Sequence, residues 1–130
     1  MKKTIILPSL LIVIGLMLSS FAMDRDTGPA FAWKTIQFDF GEIQQGEPVF
    51  HKFTFTNDGD DVLYITKIKT SCGCTAAEYS TDGIAPGEEG FVKVRYNASK
   101  TGAFKKTVTI EANTGNIPIL TVMGNVQNLN

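Results

Sequence analysis

The chain carries little reactive chemistry: 130 residues include 2 Cys, 1 His and 1 Trp. Two thiols and one imidazole fall short of the four ligands that a closed tetrahedral zinc site demands, so no resident metal or other cofactor is expected. H-E-x-x-H, Gly-rich phosphate loops and the nucleophile-elbow pattern are missing, and no catalytic residues are assigned. An excess of charge of either sign is also missing. With 12 Lys+Arg against 13 Asp+Glu and a net charge of -1, the chain has no electrostatic footprint for nucleic acid or an anionic membrane surface. No segment has the 3.6-residue apolar period of an amphipathic helix. What is abundant is aromatic: 9 Phe and 3 Tyr exclude a disordered chain, and the length allows one domain at most.

The longest apolar run lies at the N-terminus. Lys2 and Lys3 precede a stretch from Ile5 to Leu18, and Ser20-Phe21-Ala22 supplies small residues for cleavage. That order is a secretory signal peptide, residues 1–22, with the cut after Ala22; the run is short for a membrane span of roughly 20 residues. No Cys stands at the new N-terminus to carry a lipid. Residues 23–30, with Asp24 to Pro29 as DRDTGP, form an aperiodic leader, and residues 31–130 form the domain. Export places it in the periplasm or outside the cell, and the mature chain has no transmembrane segment.

From Phe31 onward the period is two. Phe53 and Phe55 alternate with Lys52, Thr54 and Thr56; Val92, Val94 and Tyr96 with Lys93 and Arg95; Val108, Ile110 and Ala112 with Thr107, Thr109 and Glu111. Turn formers punctuate these runs, among them Asn57-Asp58-Gly59-Asp60, Pro86-Gly87 and Asn113-Thr114-Gly115-Asn116. Seven strands are expected: 35–40, 48–56, 62–69, 75–79, 89–96, 104–112 and 117–126. In the third, alternation cannot bury Leu63, Ile65 and Ile68 together, which predicts a bulge near Thr66-Lys67. In the last, Pro118 cannot donate to a ladder, which predicts an edge position for the strand's start. Seven short antiparallel strands in about a hundred residues predict an all-β, immunoglobulin-like β-sandwich. It lacks the widely spaced Cys pair that staples antibody-type sheets.

The succession Phe38-Asp39-Phe40-Gly41-Glu42-Ile43, Gly46-Glu47, Phe53-Thr54-Phe55-Thr56-Asn57-Asp58-Gly59, Ser71-Cys72-Gly73-Cys74-Thr75 and Ile84-Ala85-Pro86-Gly87-Glu88 resembles the bacterial exported family known as domain of unknown function 1573. The likeness continues through Tyr96, Gly102-Ala103-Phe104 and Gly124-Asn125-Val126. It implies an Ig-like sandwich similar in architecture to major-sperm-protein and cilia-associated domains, and it implies no catalytic activity.

Cys72-Gly73-Cys74 is the one element with chemical character. The two thiols suit a redox pair or disulfide, a copper(I) site, or inert packing at a sheet corner. On a regular strand their Cα atoms would stand about 6.5 to 7 Å apart, too far for a disulfide, so closure needs a tight turn at Gly73. His51, in phase with Phe53 and Phe55 near the start of its strand, is expected at the rim of the sandwich. Asp58, Asp60 and Asp61 lack the remaining calcium-loop positions and belong to a solvated turn. Asn97-Ala98-Ser99 fits a glycosylation triplet that has no meaning in most bacteria. Phe50, Phe91, Ile119 and Met123 fall on the outward phase of their strands and form a candidate binding surface. The expectation is therefore an exported, non-enzymatic module that binds a protein or cell-envelope component, with thiol redox or copper(I) chemistry at Cys72 and Cys74 as the alternative.

Overall fold

The structure, a computed structural model, describes residues 28–128. The expected signal peptide and the leader up to residue 27 lie outside the described residues. Eight strands follow in order: β1 (Phe31–Trp33), β2 (Gln37–Gln44), β3 (Val49–Asn57), β4 (Ile65–Thr70), β5 (Thr75–Tyr79), β6 (Glu89–Tyr96), β7 (Gly102–Ala112) and β8 (Ile119–Gln127). They form two four-stranded sheets, β1-β3-β6-β5 and β2-β8-β7-β4. The all-β sandwich expected from the alternation is present. Its core is the inward set of both sheets: Phe53 and Phe55 on β3, Val92, Val94 and Tyr96 on β6, Phe104, Val108 and Ile110 on β7, Leu120, Val122 and Val126 on β8.

Three expectations are corrected. The strand expected at 35–40 is β2, shifted to Gln37–Gln44, and a further strand precedes it: β1 runs antiparallel to β3, Lys34 N donates to Thr54 O at 3.1 Å, and the chain then crosses to the other sheet. There β2 pairs with β8 in parallel, from Gln37↔Thr121 to Gln44↔Gln127, so the sandwich is not wholly antiparallel. The crossing occupies Lys34 to Ile36, where one chain segment serves both sheets and no alternation marks the switch. Finally, β8 is interior, between β2 and β7, and its start is not at an edge. Pro118 stands just before the strand and takes part only as an acceptor, from Ile110 N at 3.0 Å. Its missing N–H therefore costs the ladder nothing.

The bulge expected near Thr66-Lys67 is present as a register shift between Ile65 and Lys67. It allows Ile65 to be buried and Ile68 to pack on the core from the same strand. Leu63 is fully buried ahead of β4 and exchanges main-chain hydrogen bonds with Ile84 at 2.9 Å in both directions.

Candidate functional site

Cys72 and Cys74 lie in the turn that carries the chain from β4, at an edge of the second sheet, to β5, at an edge of the first. The turn draws their Cα atoms to 5.3 Å, inside the reach of a disulfide, and the two sulfurs are bonded. The local hydrogen bonds explain the tightness: Thr70 Oγ1 donates to Cys72 O at 3.2 Å and Thr75 N to the same oxygen at 3.3 Å, while Asn97 N donates to Cys74 O at 3.0 Å. The Thr75 hydroxyl stands 3.6 Å from Cys72 Sγ and 4.0 Å from Cys74 Sγ. Both cysteines are half-buried, and Cys74 packs against the core.

The four outward apolar residues do not form one surface. Phe50 on β3 and Phe91 on β6 share the outer face of the first sheet, whereas Ile119 and Met123 lie on β8 of the second. Phe50 and Ile119 are each 52% exposed; Phe91 and Met123 are half-buried. Met123 borders a shallow hollow of about 340 Å³ with Asp39, Glu42, Phe104 and Asn125.

The outer face of the first sheet has an organisation that the four residues alone do not convey. The register sets Phe50 opposite Arg95, Lys52 opposite Lys93 and Thr54 opposite Phe91. Lys52 Nζ lies 4.6 Å from the centre of the Phe91 ring, Lys93 Nζ 4.9 Å and the Arg95 guanidinium carbon 6.0 Å from that of Phe50. The aromatic faces thus hold three cations in a band across β3 and β6, and β5 adds Ala76 opposite Arg95 and Glu78 opposite Lys93. Phe50, Ala76, Ala77, Glu78, Lys93 and Arg95 border a shallow depression of about 60 Å³. Lys52, Lys93 and Arg95 were readable as outward residues by alternation, but their adjacency to the Phe rings needs the pairing of β3 with β6.

His51 does sit at the rim, half-buried on the inward phase of β3. Its ring stacks on Phe38 of β2 at 3.7 Å and meets Phe53 edge-on at 4.6 Å, so it bridges the two sheets as an aromatic plate. Burial lowers its pKa below the ordinary 6.5. Asp60 and Asp61 serve the expected turn: Asp60 Oδ1 accepts from Gly28 N and Asp61 Oδ1 from Val62 N at 2.8 Å. Among the described residues no group of three or more His, Cys, Asp or Glu side chains is gathered as a metal site, and no helix is long and apolar enough to cross a membrane.

The sequence model of the family described as "Protein of unknown function (DUF1573)" matches residues 31–126. The chain belongs to that family. The DUF1573 match begins with β1 and ends within β8, so both sheets lie inside it. No curated protein matches the sequence. Among solved structures, a protein of unknown function from Porphyromonas gingivalis W83 is similar with a TM-score of 0.67 and 15% identity over 82% of this chain and 51% of that one. The DUF1573 chain therefore spans about half the length of that protein. The ASH/PapD-like domain 7 of human CEP192 is similar with a TM-score of 0.66 and 7% identity over 86% of this chain and 98% of that domain. The secreted serine protease VesC of Vibrio cholerae is similar with a TM-score of 0.54 and 18% identity over 79% of this chain and 24% of that one. At these identities the likeness is one of fold alone, an Ig-like β-sandwich.

Proposed function

We propose that the chain is an exported, non-enzymatic Ig-like module that binds a protein or cell-envelope component through the outer face of β3, β6 and β5. The observation that carries this reading is Phe50: a large apolar ring left 52% exposed at the centre of a band of cations. Aromatic and arginine side chains in one patch are the composition that dominates binding energy at interfaces. The more reactive side chains have structural employment, which favours binding over catalysis. His51 is wedged between Phe38 and Phe53, and the two cysteines close the β4–β5 turn.

The test is in-cell cross-linking from a photoreactive phenylalanine placed at position 50, with position 119 on the opposite sheet as control. A discrete adduct from position 50 that disappears when Lys93→Glu and Arg95→Glu are combined is the expected result. No adduct from position 50, or an equal one from position 119, would overturn the reading.

A second reading, thiol–disulfide exchange at Cys72 and Cys74, is favoured by the Thr75 hydroxyl beside Cys72 Sγ, since a hydrogen bond to a thiolate stabilises it. Equilibration of the exported chain with glutathione buffers, read by alkylation and intact mass, separates the two readings. A disulfide that stays closed under reducing buffers removes exchange chemistry and leaves the binding face.

A further inference from the structure

Among the described residues the two sheets end in four edges, β1 and β5 on the first, β2 and β4 on the second. An open edge is a template for a foreign strand, and proteins blunt such edges by shortness, bulges and lysines. Three of these edges are blunted. β1 has three residues; β2 shifts register between Asp39 and Glu42, with Gly41 at φ +68°; β4 shifts register between Ile65 and Lys67 and carries Lys67 and Lys69. β5 has none of these devices. It runs in unbroken register with β6 from Thr75↔Tyr96 to Tyr79↔Val92 and holds two alanines and a single charged side chain, Glu78.

The phase of its main chain follows from the bonds at its two ends. Asn97 N donates to Cys74 O at 3.0 Å and Ser80 N to Phe91 O at 3.1 Å. Antiparallel ladders alternate, so Ala76 and Glu78 direct their N–H and C=O groups at β6, and Ala77 and Tyr79 direct theirs at the side where β5 has no neighbour among the described residues.

We propose that β5 pairs antiparallel with β5 of a second copy of this chain, about a two-fold axis through Ala77, joining their first sheets edge to edge. In that register Ala77 faces Ala77 of the second copy, and the two exchange both main-chain bonds. Glu78 falls opposite Ala76 of the second copy, whose β6 neighbour is Arg95. One row of the outer face then reads Lys93, Glu78, Ala76 of the second copy and Arg95 of the second copy, and symmetry repeats it. The carboxylate has a cation on each side, and the small Ala76 leaves the path to the second one open. This complementarity selects a second copy over an unrelated extended peptide, which would satisfy the main chain but supplies no such row. The pairing draws on Glu78, Lys93 and Arg95 of the proposed binding face, but its main-chain bonds lie on the edge of β5, and it would set two Phe50 patches on one side of a continuous sheet.

The experiment is sedimentation equilibrium of the full exported chain over a range of concentrations, with hydrogen exchange at the Ala77 and Tyr79 amides. A two-chain mass at high concentration, with both amides protected only there, is expected. Ala77→Pro removes an N–H that β6 does not use, so this variant should unfold at the same midpoint and sediment as one chain. Glu78→Arg should weaken association at least roughly tenfold, and adding Arg95→Glu should restore it. A single-chain mass at every concentration overturns the proposal. So does a dimer indifferent to both the proline and the charge reversal, or protection of the two amides that appears only on adding an extended peptide of another sequence. Should Ala77→Pro fail to fold, the charge pair and its restoration carry the decision.

Discussion

One amide, that of Asn57, ties three separate segments at the loop end of the sandwich. Its Nδ2 donates to Asp61 O at 2.7 Å and Ile84 O at 2.8 Å, and its Oδ1 accepts from Gly59 N at 3.0 Å and Ala30 N at 3.3 Å. The side chain is fully buried. Asn57→Asp keeps the shape and the acceptor but removes both donors and sets a carboxylate against two carbonyl oxygens. A stability loss of roughly 3 kcal/mol is expected in urea unfolding, smaller at low pH where the new carboxyl is protonated. An unchanged midpoint at neutral pH would show that the amide is not the tie described. The turn at Asn57 was legible as Asn-Asp-Gly-Asp, whereas its link to Ile84 and Ala30 was not, because those partners are distant in sequence and only the fold delivers them. His51 makes a second residue-scale case. Its folded pKa lies below the unfolded value of about 6.5, so the unfolded chain binds the proton more readily, and stability falls as pH drops through 6.5. The slope for one proton cannot exceed about 1.4 kcal/mol per pH unit, and it is shallower here because the ring is only half-buried. His51→Phe should keep the stacking on Phe38 and lose that part of the pH dependence. Identical pH profiles for the two proteins between pH 7.5 and 5 would refute the assignment.

Among the elements, the strands whose apolar residues strictly alternate were legible, since β3, β6 and β7 bury the sides that the period marked. The segment from Phe31 to Gln44 was not. There the chain leaves one sheet for the other within Lys34 to Ile36, and local pattern holds no record of which sheet a strand joins. Pro118 misled for a related reason. A missing donor excludes a residue from the middle of a ladder, yet it says nothing of a residue one step before the strand begins. The β4–β5 turn was legible as a turn with two thiols, but the bond between them depends on the hydrogen bonds from Thr70, Thr75 and Asn97 that draw Cys72 and Cys74 together. That bond closes a very short loop, so it removes little freedom from the unfolded chain. With three residues in the loop, the entropic contribution is about 1.6 kcal/mol. Cys72→Ser combined with Cys74→Ser should therefore fold and lose no more than about 2 kcal/mol in urea unfolding. A variant that fails to fold would assign the disulfide a larger structural part than loop closure provides.

At the scale of the whole molecule, the near-neutral chain is unevenly charged. Net charge is -1, yet Lys52, Lys93 and Arg95 gather on one sheet face against Glu78 and Glu89, while Asp58, Asp60, Asp61, Asp82 and Glu88 lie on exposed loops. Lys52 and Lys93 stand directly opposite each other, an arrangement that costs a folded sheet stability unless something else offsets it. The rings of Phe91 and Phe50 supply part of the offset, at about 0.5 to 1 kcal/mol for each exposed cation over a ring. A partner with negative charge would supply the rest, and the field that attracts it is local, because salt screens exposed charges beyond about 8 Å at physiological ionic strength. Binding of the component recovered by cross-linking from position 50 should therefore slow as salt rises. Lys52→Glu combined with Lys93→Glu should lower the association rate at least roughly tenfold at low salt. Lys67→Glu combined with Lys105→Glu, exposed on β4 and β7 in the other sheet, changes net charge by the same amount but lies on the far side, and should leave the rate near that of the unaltered chain. Equal slowing by both changes would mean that total charge governs the encounter, and the face of β3 and β6 would lose its claim to be the binding surface.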